Sequence, residues 1–273
     1  MRVPFPGPAL LFCPADRPDR FAKAAAAADV VIVDLEDGVA PADKMTARRA
    51  LQQTPLDPAR TVVRINPAGT LDHDRDLAAL AGTAYRTVML AKAERAEDVR
   101  RLDFRVIALC ETALGVVNAG ELAAEPATEA LMWGAEDLLV SLGGRSSRHP
   151  DGRYRAIAAH ARNQVLLAAG AHGRAVIDAV HLDIADSAGL HREAEDAAAS
   201  GFAAKACIHP SQVAGVREAF RPTAAELTWA TEVLHAATTA AGVFTHRGRM
   251  VDQPILSQAR RLLRAAGLEP PPG

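Results

Sequence analysis

Two acidic residues follow two consecutive apolar runs of the chain. Glu111 comes directly after residues 105–110, and Asp137 comes four residues after the run 130–133. If these runs are neighbouring buried strands, their ends bring the two carboxylates close together. Carboxylates that close repel each other unless a proton or a cation lies between them. Oxygen ligands without a Cys or His partner favour Mg²⁺, which keeps several waters and leaves positions for substrate oxygens.

An arginine and further polar residues occupy comparable positions in the other runs. Arg64 lies in the run 61–65, and its planar guanidinium suits a carboxylate or an enolate oxygen. Polar residues that end the remaining runs are Asp34, Glu36, Asp37, Lys92, Asp178 and His209. Because most of them are carboxylates, they indicate a ring of side chains around one opening. His209, which precedes Pro210, is better explained as the end of a strand than as a base.

The signatures of several other catalytic sites do not occur in the chain. None of the nine histidines forms an HxxH or HExxH pair, and no G-x-S-x-G motif is present. The three cysteines, Cys13, Cys110 and Cys207, are too far apart in sequence to suggest a metal-binding pair. Cys13 and Cys207 are better explained as core residues than as nucleophiles. The acidic residues and Arg64 therefore remain as the candidates for chemistry.

Eight short apolar runs alternate with segments of helical period. The predicted strands are residues 9–13, 30–35, 61–65, 87–90, 105–110, 130–133, 175–180 and 205–208. The predicted helices are residues 17–28, 41–53, 75–81, 96–101, 118–124, 154–171 and 190–199. This alternation predicts a (β/α)8 TIM barrel over residues 1–222, in which active sites lie at the C-terminal ends of the strands. An open doubly wound sheet is the alternative, although eight strands would make it wide.

Residues 223–273 continue beyond the last barrel unit. Helices are predicted at 223–241 and 254–266, with a loop at 242–253 between them. A barrel needs only one helix after its eighth strand, so part of this segment has no place in the barrel. We expect a C-terminal helical extension that covers one end of the barrel or packs on a neighbouring subunit.

The composition excludes several classes of protein. A hydrophobic share of 49% excludes global disorder, because such a chain can bury a sizeable core. With 31 basic and 33 acidic residues, no overall field attracts nucleic acid or an anionic membrane. No apolar stretch reaches the roughly 18 residues of a membrane span, and the N-terminus is a poor signal peptide. We expect a cytoplasmic protein that binds neither nucleic acid nor membranes.

Six short motifs occur in a fixed order along nearly the whole chain. They are Leu11-Phe12-Cys13-Pro14 with Asp16-Arg17, Asp34-Leu35-Glu36-Asp37-Gly38-Val39, Arg64-Ile65-Asn66, Glu111-Thr112-Ala113, Gly134-Ala135-Glu136-Asp137-Leu138 and Ile208-His209-Pro210-Ser211-Gln212. Each motif is unspecific alone, but six in this order are specific. The chain resembles the citrate lyase β-subunit and malyl-CoA lyase group of the HpcH/HpaI aldolase superfamily.

This resemblance implies which residues bind the metal, the substrate and the coenzyme. Glu111 and Asp137 match the two carboxylates that hold Mg²⁺ in that group. The residues implied to contact substrate are Arg64, Glu111, Gly134 and Ala135. The residues implied to receive coenzyme A are Phe12, Arg17 and Lys23. The resemblance implies no organic cofactor.

Catalytic roles are implied for Arg64, Glu36 and Asp252. Glu36 and Asp37 match acidic residues beside the metal site. Asp252 matches a catalytic aspartate on a C-terminal segment that reaches the site of a neighbouring subunit, usually in a trimer. Alternatively, Asp252 caps the helix that begins near residue 254. Relatives commonly have Pro at the position before Lys92, where this chain has Ala, and the contribution of Lys92 stays open.

The activity implied is that of a Mg²⁺-dependent acyl-CoA carbon–carbon lyase. It would cleave a 3-hydroxyacyl-CoA of the citramalyl-, malyl- or citryl-CoA type to acetyl-CoA, or a homologue, and a 2-oxo acid, or run the condensation. The alternatives are a thioesterase on the same acyl-CoA, a pyruvate aldolase on free hydroxy acids, and the β subunit of a citrate lyase complex. Phe12, Arg17 and Lys23 argue against the aldolase, which needs no coenzyme A site.

Overall fold

A computed structural model describes residues 5–240 and 242–271. Eight of its strands form a closed parallel barrel. The strands are β1 (Ala9–Pro14), β2 (Val30–Asp34), β3 (Thr61–Ile65), β4 (Thr87–Leu90), β5 (Arg105–Cys110), β6 (Thr128–Trp133), β7 (Ala175–Asp178) and β8 (Ala204–Cys207). Each strand pairs with the next, and the pairing of Leu10 with Ala206 closes the ring. The predicted (β/α)8 TIM barrel is confirmed, and the open sheet is wrong.

Helices connect the strands on the outside of the barrel. They are α1 (Phe21–Ala27), α2 (Lys44–Gln53), α3 (Leu71–Leu80), α4 (Ala96–Arg100), α5 (Ala113–Val117), α6 (Ala119–Ala124), α7 (Ala135–Ser141), α8 (Ala156–Ala171), α9 (Ser187–Ser200) and α10 (Pro210–Ala219). Short 3₁₀ turns at Pro18–Arg20 and Pro41–Asp43 precede α1 and α2, because proline fits the first turn of a helix. The prediction did not include α5, α7 and α10, each of which begins within three residues of the end of the preceding strand.

Side chains of the strands alternate between the barrel interior and the surrounding helices. Inward-facing residues pack into one apolar core that includes Val30, Ile32, Val62, Leu109 and Met132. Two residues further along the same strands, the next inward-facing residues are Asp34, Arg64, Glu111 and Gly134. The two-residue period of a β-strand therefore carries these residues to the C-terminal mouth of the barrel.

Glu218 begins a second compact unit. It contains α11 (Ala224–Ala237), a hairpin of β9 (Phe244–His246) and β10 (Arg249–Val251), and α12 (Gln253–Ala265). Its own core comprises Ala230, Val233, Leu234, Val251, Leu256, Ala259 and Leu263. The predicted loop 242–253 thus contains a hairpin, and Ala241 of the predicted helix lies outside the described residues. Within the described part of the chain, no helix combines the length and apolarity needed to cross a membrane.

Candidate active site

Arg64 is fixed at the mouth of the barrel by Asp34, its direct neighbour across the β2–β3 pair. The guanidinium donates from Nε to Oδ1 at 2.7 Å and from Nη2 to Oδ2 at 2.6 Å. Both residues are largely buried, so the pair is little screened by water. Burial alone would lower the pKa of Arg64, but the charge of Asp34 and its hydrogen bonds hold that pKa above its ordinary value.

Glu36 joins this pair from the turn that follows β2. Its Oε2 lies 3.1 Å from Nη1 of Arg64, and only 3% of the residue is exposed. The backbone N–H of Glu36 donates to Asp34 at 2.8 Å, and the N–H of Asp37 donates to Glu36 Oε2 at 2.8 Å. Asp34 therefore holds both Arg64 and the turn that carries Glu36. Asp37 itself is exposed.

Lys92 links these acidic residues to the next pair of strands. Its Nζ contacts Glu36 and lies 3.0 Å from Asp37 and 3.3 Å from Asp137. Its backbone, with φ of 48°, lies in the left-handed region and directs its N–H to Glu111 Oε1 at 3.1 Å. Burial would lower the pKa of Lys92, but the hydrogen bond to Glu36 and the charge of Glu111 raise it. The structure thus places Lys92 within the site, where the sequence left its role open.

Glu111 and Asp137 approach the mouth from β5 and from the first turn of α7. Burial, and then the charge of Asp137, raise the pKa of Glu111 to about 8, although Arg64 and Lys92 act in the opposite direction. Space for the Glu111 carboxylate depends on Gly134, since a Cβ there would lie 2.9 Å from Oε2. A side chain at this position would displace the carboxylate.

The donor set of these two residues fits a hard divalent cation. Burial is the main cause of the raised pKa of Glu111, and the positive charges of Arg64 and Lys92 offset it only in part. Its Oε1 accepts the Lys92 N–H, while Oε2 receives no hydrogen bond from the described residues and faces Gly134. No group of three or more His, Cys, Asp or Glu side chains in the described chain could hold a metal. Two carboxylates completed by water are typical of Mg²⁺ and untypical of zinc.

A small open cleft lies beside these carboxylates. It is lined by Phe12, Arg64, Leu109, Glu111, Met132, Trp133, Gly134, Ala135, Glu136, Asp137, Ala179 and Val180. All four residues expected to contact substrate, namely Arg64, Glu111, Gly134 and Ala135, therefore line one cleft. Glu136, which the prediction did not assign, is oriented by a hydrogen bond from Ser147 Oγ at 2.7 Å.

The three residues expected to bind coenzyme A have different surroundings. Phe12 lines the cleft, and the Arg64 guanidinium lies 4.9 Å from the centroid of its ring. Arg17 is exposed just beyond β1 and pairs with Asp19 at 3.0 Å. Lys23 is exposed on α1. The structure thus brings Phe12 to the cleft and leaves both basic side chains at the surface.

Asp178 does not belong to the ring of polar residues at the mouth, contrary to the prediction. Its neighbour Ile177 faces the barrel core, so Asp178 points outwards to the helix layer. There it accepts hydrogen bonds from Trp133 Nε1 at 2.7 Å and Arg162 Nε at 2.9 Å, and lies 3.2 Å from Lys205 Nζ. It is part of a buried ion-pair network behind the strands.

Asp252 precedes α12 in the second unit and is its N-cap. Its side chain accepts a hydrogen bond from the backbone N–H of Ile255 at 3.3 Å. This is the capping role considered above as an alternative. The residue is partly exposed.

Comparison with known protein families gives one match that covers most of the chain. The pattern described as HpcH/HpaI aldolase/citrate lyase matches residues 9–105 and 101–210. A citrate lyase subunit beta-like protein of Mycobacterium tuberculosis is 62% identical over 262 residues, which cover 96% of each chain. A crystal structure of CitE from M. tuberculosis with magnesium, acetoacetate and coenzyme A has a TM-score of 0.93 and 61% identity, covering 96% of this chain and 98% of that one.

Two further relatives carry names that differ in the reaction. The mitochondrial citramalyl-CoA lyase of Mus musculus is 32% identical over 272 residues, covering 87% of this chain and 79% of the relative. The (3S)-malyl-CoA thioesterase of Cereibacter sphaeroides is 35% identical over 253 residues, covering 88% and 87%. One of these names is that of a lyase and the other that of a thioesterase.

Proposed function

Because the chain belongs to the HpcH/HpaI aldolase/citrate lyase family, we propose that it cleaves a 3-hydroxyacyl-CoA with the help of Mg²⁺. The substrates are of the citramalyl-, malyl- or citryl-CoA type, and the products are acetyl-CoA, or a homologue, and a 2-oxo acid. The same site would run the condensation. The observation that carries this proposal is the placement of Glu111 and Asp137 beside the fixed guanidinium of Arg64 in one cleft.

Glu111 and Asp137 are the residues that would hold the cation. Mg²⁺ supplies Lewis-acid polarisation of substrate oxygens and a template that orients them. Lys92 positions both ligands, since its N–H holds Glu111 Oε1 and its Nζ lies near Asp137 Oδ1. Gly134 leaves the space that the Glu111 carboxylate needs.

Arg64 is the residue best placed to stabilise negative charge that develops on the substrate. Cleavage between the second and third carbons leaves a thioester enolate, whose oxygen needs a donor that is already oriented. Asp34 and Glu36 hold the guanidinium, so little reorganisation is required when the charge develops. Glu36 acts here by positioning Arg64 and Lys92.

The enolate carbon also needs a proton donor, and we assign this role to Asp252 of a neighbouring subunit. A carboxylic acid can donate the proton in cleavage and accept it in condensation. A homotrimer in the cytoplasm is the assembly that fits this assignment. Phe12, Arg17 and Lys23 would receive coenzyme A, with the two exposed basic side chains meeting its phosphates.

A thioesterase acting on the same acyl-CoA is a second candidate. The relative named malyl-CoA thioesterase favours it, because it matches most of this chain. The β subunit of a citrate lyase complex is a third candidate, favoured by the name of the M. tuberculosis relative, and it predicts co-purification with partner subunits. The lyase and the thioesterase differ in their products, since the thioesterase releases free CoA and the intact hydroxy acid.

A substrate screen tests the proposal directly. Malyl-, citramalyl- and citryl-CoA are incubated with the Mg²⁺-loaded enzyme while the thioester, free CoA and 2-oxo acid are followed separately. The lyase produces a 2-oxo acid and a new acyl-CoA in equal amounts, with no early release of free CoA. Free CoA without a 2-oxo acid would identify the thioesterase, and no turnover of any ester would refute both.

A further inference from the structure

Lys44 occupies an unfavourable position for a cationic residue. It is the first residue of α2, where the partial positive charge of the helix N-terminus repels a cation. The residue is nevertheless partly buried. None of the six sequence motifs contains Lys44, and it is not among the described residues that line the cleft. The reason for a lysine here therefore lies in its contacts and not in the helix.

The ammonium of Lys44 joins the turn after β2 to the residue that follows β3. It donates to the carbonyl oxygens of Leu35 at 2.8 Å and Glu36 at 3.1 Å, and to Oδ1 of Asn66 at 2.7 Å. An ammonium has three N–H donors, so these partners use all of them. Asn66 also donates from Nδ2 to the Leu35 oxygen at 2.8 Å. All the acceptors are neutral, so Lys44 connects two segments of backbone rather than neutralising an acid.

These hydrogen bonds complete those of both peptide groups that flank Glu36. In the peptide group before Glu36, the carbonyl oxygen of Leu35 accepts from Lys44 and the N–H of Glu36 donates to Asp34. In the peptide group after it, the carbonyl oxygen of Glu36 accepts from Lys44 and the N–H of Asp37 donates to Glu36 Oε2. Each peptide group is planar, so bonds at both of its ends fix its orientation. The direction in which the Glu36 side chain leaves the backbone is thereby fixed.

We propose that Lys44 is a positioning residue of the active site, which fixes the turn that carries Glu36 and thereby the orientation of Arg64 and Lys92. The Glu36 carboxylate lies 3.1 Å from Nη1 of Arg64 and contacts the Lys92 ammonium. A shift of the turn would move it relative to both cations, and a misplacement of about 1 Å can cost about 100-fold in rate. The inference rests on the proposed function and adds to it a residue outside the cleft.

Arg60 provides a matched control, because it makes the same kind of contact at the opposite end of the barrel. Its guanidinium donates to the carbonyl oxygens of Asp29 at 3.0 Å and Ala28 at 2.6 Å, directly before β2. Lys44→Met should lower kcat by at least about 10-fold with KM within about threefold of wild type, whereas Arg60→Met should leave kcat within about threefold. Equal losses of kcat in the two variants, with equal losses in melting temperature, would mean that Lys44 only supports the fold.

A double-mutant cycle tests whether Lys44 acts through Glu36. Glu36→Gln keeps the shape of the side chain but removes the charge that holds Arg64 and Lys92. Lys44→Met should therefore lower kcat by at least about 10-fold in the wild-type background and by less than about threefold in the Glu36→Gln background. The same loss in both backgrounds would overturn the inference, because Lys44 would then act by another route.

Hydrogen exchange tests the position of the turn without any turnover. The backbone N–H groups of Glu36, Asp37 and Gly38 donate to carboxylate oxygens of Asp34 and Glu36. In Lys44→Met they should exchange at least about 10-fold faster than in the wild type, and in Arg60→Met their exchange should be unchanged. Lys44→Gln, which keeps a shorter donor, takes the place of Lys44→Met if that variant does not fold. Unchanged exchange at these residues would overturn the inference. If exchange becomes faster but the wild type cleaves no acyl-CoA, the proposed function fails while the role of Lys44 in fixing the turn stands.

Discussion

The guanidinium of Arg64 and the carboxylate of Asp34 face each other across neighbouring strands and make two parallel hydrogen bonds of 2.7 and 2.6 Å. The contact is bidentate, so it fixes the plane of the guanidinium as well as its position. The central carbon of the guanidinium lies over the Phe12 ring, and Nη1 is 3.1 Å from Oε2 of Glu36. A lysine at this position could keep the charge but could not reproduce the plane.

Arg64→Lys should therefore lower kcat by about 100-fold or more while the barrel stays folded, because loss of one oriented donor typically costs that much. Steady-state kinetics and thermal unfolding measure the two effects. Arg48→Lys is a matched control, since Arg48 also makes close contacts with acidic residues, Asp72 and Asp76, but does not line the cleft. A comparable loss of kcat in both variants would mean that Arg64 only supports the fold.

The predicted metal ligands can be tested by binding as well as by activity. Glu111→Gln should reduce Mg²⁺ affinity by at least about 100-fold and abolish turnover, because a neutral amide is a poor ligand for a hard cation. Calorimetry with Mg²⁺ measures the affinity, and Glu97→Gln on the exposed surface of α4 is the control. EDTA should inactivate the wild type, and Mg²⁺ should restore it. Full activity after exhaustive chelation would exclude the assignment.

Mg²⁺ binding should depend on pH through Glu111. Its pKa is raised from 4.5 to about 8, so the folded protein retains a proton there that a metal must displace. The apparent affinity should rise by up to about tenfold per pH unit and level off above about pH 8. With chelator present, the free energy of unfolding should instead decrease as the pH rises from 4.5 to about 8, because the unfolded chain releases this proton at a lower pH than the folded chain.

Removing the neighbouring charge provides the control for this pH dependence. Asp137 is the second cause of the raised pKa of Glu111, after burial. The Asp137→Asn substitution should therefore lower the pKa of Glu111. With chelator present, the free energy of unfolding should then stop decreasing at a lower pH than in the wild type. An unchanged profile would assign the pH dependence to another group.

Much of the architecture could be predicted because the barrel strands are short, buried and regularly spaced. The match to the HpcH/HpaI family is confirmed, as is the prediction of an enzyme of a lyase family. Magnesium, the predicted cofactor, is present in the related crystal structure. The hairpin at 244–251 was missed because strands of three residues leave no periodic signal, although Arg247-Gly248, both with positive φ, marks its turn.

Orientation was harder to predict than position along the chain. Asp34 and Asp178 both end apolar strands, yet Asp34 faces the barrel interior, where it binds Arg64, and Asp178 faces the helices. When both faces of a strand are apolar, the sequence does not indicate which alternate residue faces inwards. The position of Lys92 in the site depends on its left-handed backbone conformation and on three acidic partners that are distant in sequence. A local sequence motif shows neither of these features.

The proposed coenzyme A site can be tested at its two exposed basic residues, Arg17 and Lys23. Arg17→Ala and Lys23→Ala should raise KM for the acyl-CoA by about 10-fold while kcat changes by less than about threefold, since they contact a part of the substrate remote from the reaction. Arg101→Ala, at an exposed arginine directly after α4, is the control. A truncated pantetheine thioester lacks the nucleotide. If the variants change kcat and KM for this thioester as much as for the acyl-CoA, neither residue contacts the nucleotide.

The last prediction is that Asp252 completes the site of a neighbouring subunit. Its motivation is the extra unit beyond the barrel, together with the resemblance of residues 250–254 to a catalytic segment. Asp252 also caps α12, so Asp252→Asn is the appropriate variant, because asparagine caps a helix about as well as aspartate. If only capping matters, Asp252→Asn should retain its activity and its melting temperature. If Asp252 transfers a proton, the variant should keep its melting temperature and lose at least about 100-fold in kcat.

Inactive Asp252→Asn and Glu111→Gln subunits are then unfolded together and reassembled. Mixed oligomers should recover part of the wild-type activity, because some interfaces combine an intact metal site with an intact Asp252. No recovery despite confirmed subunit exchange would mean that each Asp252 serves its own barrel.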